Sequence, residues 1–517
     1  ENTITETESF NILTEEYIFN GGGVAVADFN KDGLPDLFFS GNQVNNALYL
    51  NEGDMKFTDV SSVSGVTSVD RWFTGVLILD VNNDTWPDIY VAAGIDDDPV
   101  KRQNSLFVHK GLNDQGVPVF EEQAEAYGIA DGHSSMWAAS LDYNADGLLD
   151  IYVINNEQTG ILPTNYREKV LDGSAQSNDR LYRNNGDGSF TDVTLEAGIR
   201  YEGFGLGVVV SDINYDGYDD IYVTNDYLSN DLLYINDTKG GFTNEIGHRL
   251  KHQSKFSMGG DVNDINNDGL LDILSVDMLA ESNQRMKTTV MGVNYISEVY
   301  NKRWGYEPQY MRNMLHISNG ADLPFSEVGL LSGIARTDWS WSPLMADIDN
   351  DGMRDLLITN GFPRDVTDMD FSNYRLQNGQ YARVDMILDS VPVVKIPNYA
   401  YRNLGNLQFE DVGESWGLNI ASFSNGAVYS DLDLDGDLDY IVNNINDRAF
   451  LFENKTNEMR PEHNYLQIEL KGPKENHFGI GAKVWVKTQQ SELYTEQRLG
   501  RGYMSSVDPV LHFGLGS

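Results

Sequence analysis

At 517 residues the chain is about three times as long as a typical single domain, so it holds several domains or one large repeat architecture. Its formal charge of −43, from 36 basic and 79 acidic residues, excludes nucleic acid and anionic membrane surfaces as partners and makes cations the natural ones, although acidity can also serve solubility. There is no cysteine, which removes disulfides and thiolate chemistry, and no apolar run of about 18 residues that could span a bilayer.

The chain opens at Glu1 without a Met or a signal-like segment, as expected of a piece processed from a longer precursor. After about twenty residues of weak pattern, a strand-like run "GGGVAVA" leads into "DFNKDGLPD" from Asp28 and out into "LFFS". The same nine-residue stretch returns as "DVNNDTWPD" from Asp80, "DYNADGLLD" from Asp142, "DINYDGYDD" from Asp212, "DINNDGLLD" from Asp264, "DIDNDGMRD" from Asp347 and "DLDLDGDLD" from Asp431. All seven fit D-x-[DN]-x-D-[GT]-x-x-D, and apolar runs flank each on both sides. A third run follows downstream ("NALYLN", "DRLYRN", "NYAYRN") and usually a fourth ("KFTDV", "SFTDV", "QFEDV"). The unit is thus four strands, A to D, with the acidic loop joining A to B.

Successive loops start 52 to 84 residues apart, at or above the length of a four-stranded propeller blade. The expected fold is therefore all-β: a seven-bladed β-propeller over residues 21–456, whose radial sheets leave no long exposed edge. The last copy lacks a fourth strand, and residues 1–20, through "SFNIL", are expected to close the ring by supplying it. Residues 457–517, with alternating runs such as "YLQIEL" and "AKVWV", are expected to form a small β domain beside the ring and not an eighth blade, because they lack the loop.

Carboxylates at positions 1, 3, 5 and 9 with a backbone carbonyl at 7 are oxygen ligands wrapped around one point, and glycine at 6 permits the sharp turn; this is how Ca²⁺ is held. The seven ligand sets are Asp28, Asn30, Asp32, Leu34 and Asp36; Asp80, Asn82, Asp84, Trp86 and Asp88; Asp142, Asn144, Asp146, Leu148 and Asp150; Asp212, Asn214, Asp216, Tyr218 and Asp220; Asp264, Asn266, Asp268, Leu270 and Asp272; Asp347, Asp349, Asp351, Met353 and Asp355; and Asp431, Asp433, Asp435, Asp437 and Asp439. Up to seven Ca²⁺ are expected, with Thr85 marking the second loop as the departure from pattern. Asn-Asp-Gly also makes ordinary hairpin turns, but turn chemistry alone has no use for acids at positions 1 and 9. Magnesium prefers to keep its waters and suits such a loop less well.

At these residues the chain resembles the FG-GAP/VCBS repeat family, whose calcium-loop blades also build the propeller of integrin α subunits. Residues 464–516, "NYLQIELKG" through "RLGRGYMSSVDPVLHFGLG", resemble the ASPIC/UnbV module, expected to be cut off at Ser517. The combination is similar to surface VCBS-repeat proteins of Bacteroidota, secreted or lipid-anchored. That resemblance implies an extracellular or outer-membrane location, any anchor lying upstream of Glu1, and an accessory role beside SusC/SusD-type uptake complexes.

In a four-stranded blade the A–B and C–D turns share one face, and the B–C and D–A connections share the other. The extra residues of blades three, five and six all fall in B–C connections, about 156–178, 279–312 and 360–397, opposite the calcium loops. Aromatics and arginines there, Trp304, Tyr306, Tyr310 and Arg312, with Trp72, Trp137, Trp339 and Trp341 from D–A connections, are candidate partner anchors, or pack the loops onto the ring. The reading is a non-enzymatic calcium-binding propeller that engages a protein or glycan. The alternatives are a polysaccharide lyase or hydrolase using His133, Tyr310 or Arg312, and a structural spacer; no nucleophile elbow or HExxH is present.

Overall fold

The computed structural model describes residues 1–67, 70–157, 167–289, 295–379, 381–489 and 491–517. Seven radial sheets form a propeller. The first six have four strands in the order A-B-C-D, and the seventh has three, Ser424–Ser430, Asp439–Asn444 and Phe450–Phe452. The inner strands are almost wholly buried, as with Phe73–Leu79 and Gly205–Ser211, because each is packed between neighbouring blades.

The register repeats with the sequence. In every blade the residue before the loop pairs with the aspartate at position 9, as in Ala27 with Asp36, Leu141 with Asp150 and Ser430 with Asp439. Position 9 is therefore the first residue of strand B.

Residues 9–13 do not supply the missing strand. The Asn11 side chain donates to the carbonyls of Thr7 (2.9 Å) and Glu8 (3.1 Å) and accepts from the Leu13 N–H (2.9 Å), which winds the segment into turns in place of a ladder. The N-terminus instead crosses the B–C face: Asn2 forms one parallel bridge to Ile445, and Ile12, Tyr17, Ile18 and Phe19 enter the core over the axis.

The C-terminal module is not an eighth blade, but neither does it merely lie beside the ring. Two short pairs, Asn464–Ile468 with Leu511–Gly516 and Lys483–Lys487 with Glu492–Glu496, rest on the A–B loop face. Between them a hairpin, Gly500–Arg501 with Ser505–Ser506, drops into the axial channel. There Ser506 pairs with Ala25 of blade one, the Met504 carbonyl accepts from Val76 of blade two (2.9 Å) and the Gly502 carbonyl from Gly260 of blade five (3.0 Å). Tyr503 and Met504 are fully buried, and Arg501 pairs with buried Asp261 (2.9 Å). Open N–H groups on the innermost strands, those of Val76 and Gly260, recruit the plug carbonyls, since buried backbone groups need partners.

The long B–C connections carry helices, Asn283–Thr288 and Tyr295–Arg303 in blade five, and Met369–Asn378 and Val384–Leu388 in blade six. Part of each insertion expected from the sequence (158–166, 290–294 and 380) lies outside the described residues.

Candidate metal loops and the opposite face

All seven acidic loops adopt one conformation. Position 4 has φ between 55° and 61° in every copy, from Lys31 to Leu434, and position 6 has φ between 74° and 93°. Six of the seven place glycine at position 6. The second places Thr85 there at φ 74°, a left-handed conformation that a β-branched residue adopts only under strain. Its hydroxyl accepts from Lys31 of the first loop (2.8 Å), whose ammonium also lies 3.9 Å over the Trp86 ring.

Hydrogen bonds fold each side chain inward. In the first loop Asp28 accepts from the N–H groups of Asp32 (3.1 Å) and Gly33 (2.9 Å), and Asp32 accepts from Leu34 (2.9 Å). Asn30 donates to Asp32 (2.8 Å). Asp142 and Asp212 repeat these bonds in the third and fourth loops.

The aspartate at position 9 is bracketed. One oxygen accepts from the N–H of position 2 and the other from a residue at or near the end of strand C, as when Asp150 holds Tyr143 (3.2 Å) and Asn184 (2.8 Å). An acid at position 9 thus has a structural use, contrary to the expectation that turn chemistry had none for it. Burial pushes Asp36, Asp88, Asp150, Asp220 and Asp272 up to about 8, against the lowering effect of those N–H groups.

The donor chemistry fits a hard cation. In the sixth loop Asp347, Asp349 and Asp355, and in the seventh Asp431, Asp433 and Asp439, bring carboxylate oxygens within 4.8 Å of one another. In these two loops an oxygen of Asp349, Asp431 and Asp437 is buried without a hydrogen-bond partner. Burial, with Asp351 and Asp349 nearby, pushes Asp347 up to about 8. The first five loops have asparagine at position 3, and among the described residues they bring no third carboxylate that close.

Residues 28–91, 170–223 and 212–275 match the FG-GAP-like repeat, and residues 472–517 match ASPIC and UnbV. The chain carries FG-GAP-like repeats and a C-terminal ASPIC and UnbV domain. No curated protein matches it. A solved structure described by its recognition of non-reducing terminal N-acetylglucosamine, a lectin of Agrocybe aegerita, aligns with a TM-score of 0.38 and 14% identity over 74% of this chain and 77% of that one, too distant to argue from.

The C-terminal segment reaches into the acidic loops, a contact with no signal in the repeat pattern. Lys483 pairs with Asp212, Arg498 with Asp219, and Gln467 donates to Asp431 (2.6 Å). Asp349 receives Arg460 (2.7 Å) from the link into the domain and Arg402 (2.8 Å) from blade six.

On the opposite face, five of the eight candidate anchors are taken up in packing. Trp72, Trp137, Trp339, Trp341 and Tyr306 are each at most 7% exposed. Trp137 donates to the Val76 carbonyl (2.9 Å) and Trp341 to that of Gly361 (3.0 Å). Trp72 and Trp339 sit just before inner strands, Trp72 against Phe10 of the N-terminal segment, whereas Trp137 and Trp341 lie inside inner strands and not in D–A connections, Trp341 against Tyr503 of the plug, so an open aromatic surface on these residues is ruled out. Arg312 pairs with Glu327 (2.8 Å). Trp304 is half-buried and stacked on Tyr300, which leaves Tyr310, 45% exposed, as the open one.

His133 is held at both ring nitrogens, by Asp131 (2.5 Å) and Arg180 (2.9 Å). Beside it, a cavity of about 830 Å³ opens between the N-terminal segment and blades one to three, bordered by Phe10, Glu15, Trp72, Arg102 and Glu157.

Proposed function

We propose that this protein is a non-enzymatic, calcium-binding interaction propeller that works outside the cytoplasm, at a cell surface or secreted, and engages a protein or glycan. The observation that carries the reading is the repetition of one loop conformation seven times, with unpartnered carboxylate oxygens where three acids converge. Positions 1, 3, 5, 7 and 9 of each loop would hold Ca²⁺, which when bound supplies the positive charge that these buried carboxylates lack. FG-GAP repeats with an ASPIC and UnbV domain suit a surface or extracellular interaction protein, where calcium at about 10⁻⁴ to 10⁻³ M matches loops of moderate charge. Among the described residues no helix is long and apolar enough to cross a membrane. An accessory place beside a SusC/SusD-type transporter extends the same reading.

The Arg180 guanidinium, which can only donate, occupies the Nε2 lone pair of His133 while Nδ1 faces Asp131, so no ring lone pair is left to take a substrate proton, which supports binding over catalysis. The B–C face, with its 830 Å³ cavity and exposed Tyr310, offers a docking surface away from the loops.

Calcium titration of chelator-stripped protein by isothermal calorimetry tests the metal assignment. At least six equivalents should bind, and EDTA should lower the melting temperature, because a ligand that binds only the folded state stabilises it. No uptake at millimolar calcium would refute it. Recovery of the protein from native membranes with and without EDTA then separates a transporter partner from a glycan.

A further inference from the structure

A second cavity, of about 390 Å³, lies on the B–C face between the N-terminal segment and blades four to six. Its size falls in the ~300–1,000 Å³ range of small-molecule sites. One wall is aromatic: Trp339 stacks on Phe362 at 4.2 Å and 6°, and Trp341 lies beyond at 6.1 Å and 25° from the same ring.

The polar lining has an unusual member. Lys255 is 7% exposed, yet among the described residues its ammonium has neither hydrogen bond nor ion pair; it lies 5.8 Å from the Phe256 ring. A buried charge without a partner is costly and calls for an anion. Two further lining groups are also unsatisfied, the Asn20 amide N–H and the Asn301 carbonyl oxygen.

The acids nearby are otherwise engaged. Glu16 accepts from the Tyr227 hydroxyl (2.6 Å), and Asp226 accepts from Tyr17 (3.1 Å) while burial pushes it up to about 8. Arg375 adds a second cation at the border.

We propose that this cavity binds an amphipathic organic acid, its carboxylate on Lys255 and its aromatic or aliphatic body against the Trp339–Phe362–Trp341 wall. Asn20 and Asn301 then offer one donor and one acceptor to a hydroxyl, amide or ring N–H on the same ligand. The site is separate from the acidic loops and needs no metal.

Calorimetry on the full chain in calcium buffer, with 4-phenylbutyrate, indole-3-acetate and hexanoate and the primary amide of each, tests this. At least one acid should bind, ten or more times tighter than its amide. Lys255→Gln should bring acid and amide within twofold of each other, whereas Lys255→Arg keeps the preference. Met278→Trp, placing bulk in the cavity lining, should abolish binding of both. Circular dichroism and melting establish that each variant folds, and should Lys255→Gln fail to fold, the acid-to-amide ratio on the native chain and the Met278→Trp result decide the matter. Absence of binding by all three acids, equal affinity for acid and amide, or a preference that survives Lys255→Gln overturns the proposal.

Discussion

Replacing Asp179 by asparagine should stabilise the propeller progressively as pH rises above about 4, with the full gain reached above about 7. Asp179 stands just before strand C of blade three, 1% exposed, with one oxygen accepting from the Asn155 N–H (3.0 Å) and the other from the Tyr152 hydroxyl (2.7 Å). Blade two puts Asn104 in the same place, accepting from the Ala93 N–H (2.8 Å) and donating to the Tyr90 hydroxyl (2.9 Å). An amide therefore fills that place without a charge, donating to the tyrosine oxygen while the tyrosine proton turns to a carbonyl, as that of Tyr90 does to Ile129 (3.3 Å). Burial pushes Asp179 up to about 7 from the ordinary carboxylate value of 3.8. A carboxyl raised in the folded state contributes stability that is whole below about pH 4 and is lost as pH rises through about 7. Three pH units at ~1.4 kcal/mol each make that loss about 4 kcal/mol. Urea unfolding of native chain and Asp179→Asn at pH 4.5, 6 and 8, in constant calcium, isolates the group, because every other titration cancels in the difference. The variant should gain progressively, by up to about 4 kcal/mol at pH 8. Asp231→Asn should show the same pH trend with a smaller gain, since Asp231 holds the Asn225 N–H (2.9 Å) and Tyr222 (2.8 Å) and is also pushed up to about 7, but it accepts from the Ser257 hydroxyl (3.1 Å) as well, which an amide nitrogen cannot replace. Parallel pH profiles, or a variant less stable at pH 8, would refute the reasoning.

Two other perturbations separate metal binding from scaffold. Asp150→Ala leaves the Tyr143 and Asn184 N–H groups unpaired at ~1–3 kcal/mol each, so it should lower unfolding free energy in EDTA as well as in calcium; a loss confined to calcium would make position 9 a ligand only. Gly502→Val should release the axial plug, because φ is +71° there and an added Cβ would meet the Ser342 hydroxyl at 2.3 Å; limited proteolysis should then cut the C-terminal domain from an intact ring, and unchanged protection would show the plug to be dispensable.

The repeat was legible because its chemistry is local. Seven loops place acids at fixed offsets, and one conformation answers all seven, Thr85 included. The plug was not legible: "GRGYMSS" has no alternation to read, since it is buried on every side in the channel, and Met504 and Gly502 both take positive φ to turn there. The tryptophans misled for a related reason. An aromatic in a connection reads the same whether it awaits a partner or is covered by its own N-terminus, and here Ile12 and Tyr17, distant in sequence, join Trp72, Trp339 and Trp341 in one core cluster. Distant ends of the chain supplied what no window of sequence contains.

The residue opposite position 9, at or near the end of strand C, connects these levels. Its N–H is held by the position 9 aspartate of its own blade, and its side chain reaches back to the position 2 carbonyl of the preceding loop. Asn51 reaches Leu432 (2.8 Å), His109 reaches Phe29 (2.9 Å), Asn236 reaches Tyr143 (2.8 Å), Asn403 reaches Ile265 (2.9 Å) and Asn454 reaches Ile348 (2.8 Å). Blade three departs, Asn184 bonding to Leu149 of its own loop (3.2 Å), and blade five has only Ser318 there. Because position 9 and position 2 bracket each acidic loop, ordering one loop also fixes the anchor of the next. The asparagine that closes "LYLN", "LYIN" and "AYRN" is thus as much part of the acidic loop as its aspartates. It carries no charge to attract notice, and its partner lies one blade away.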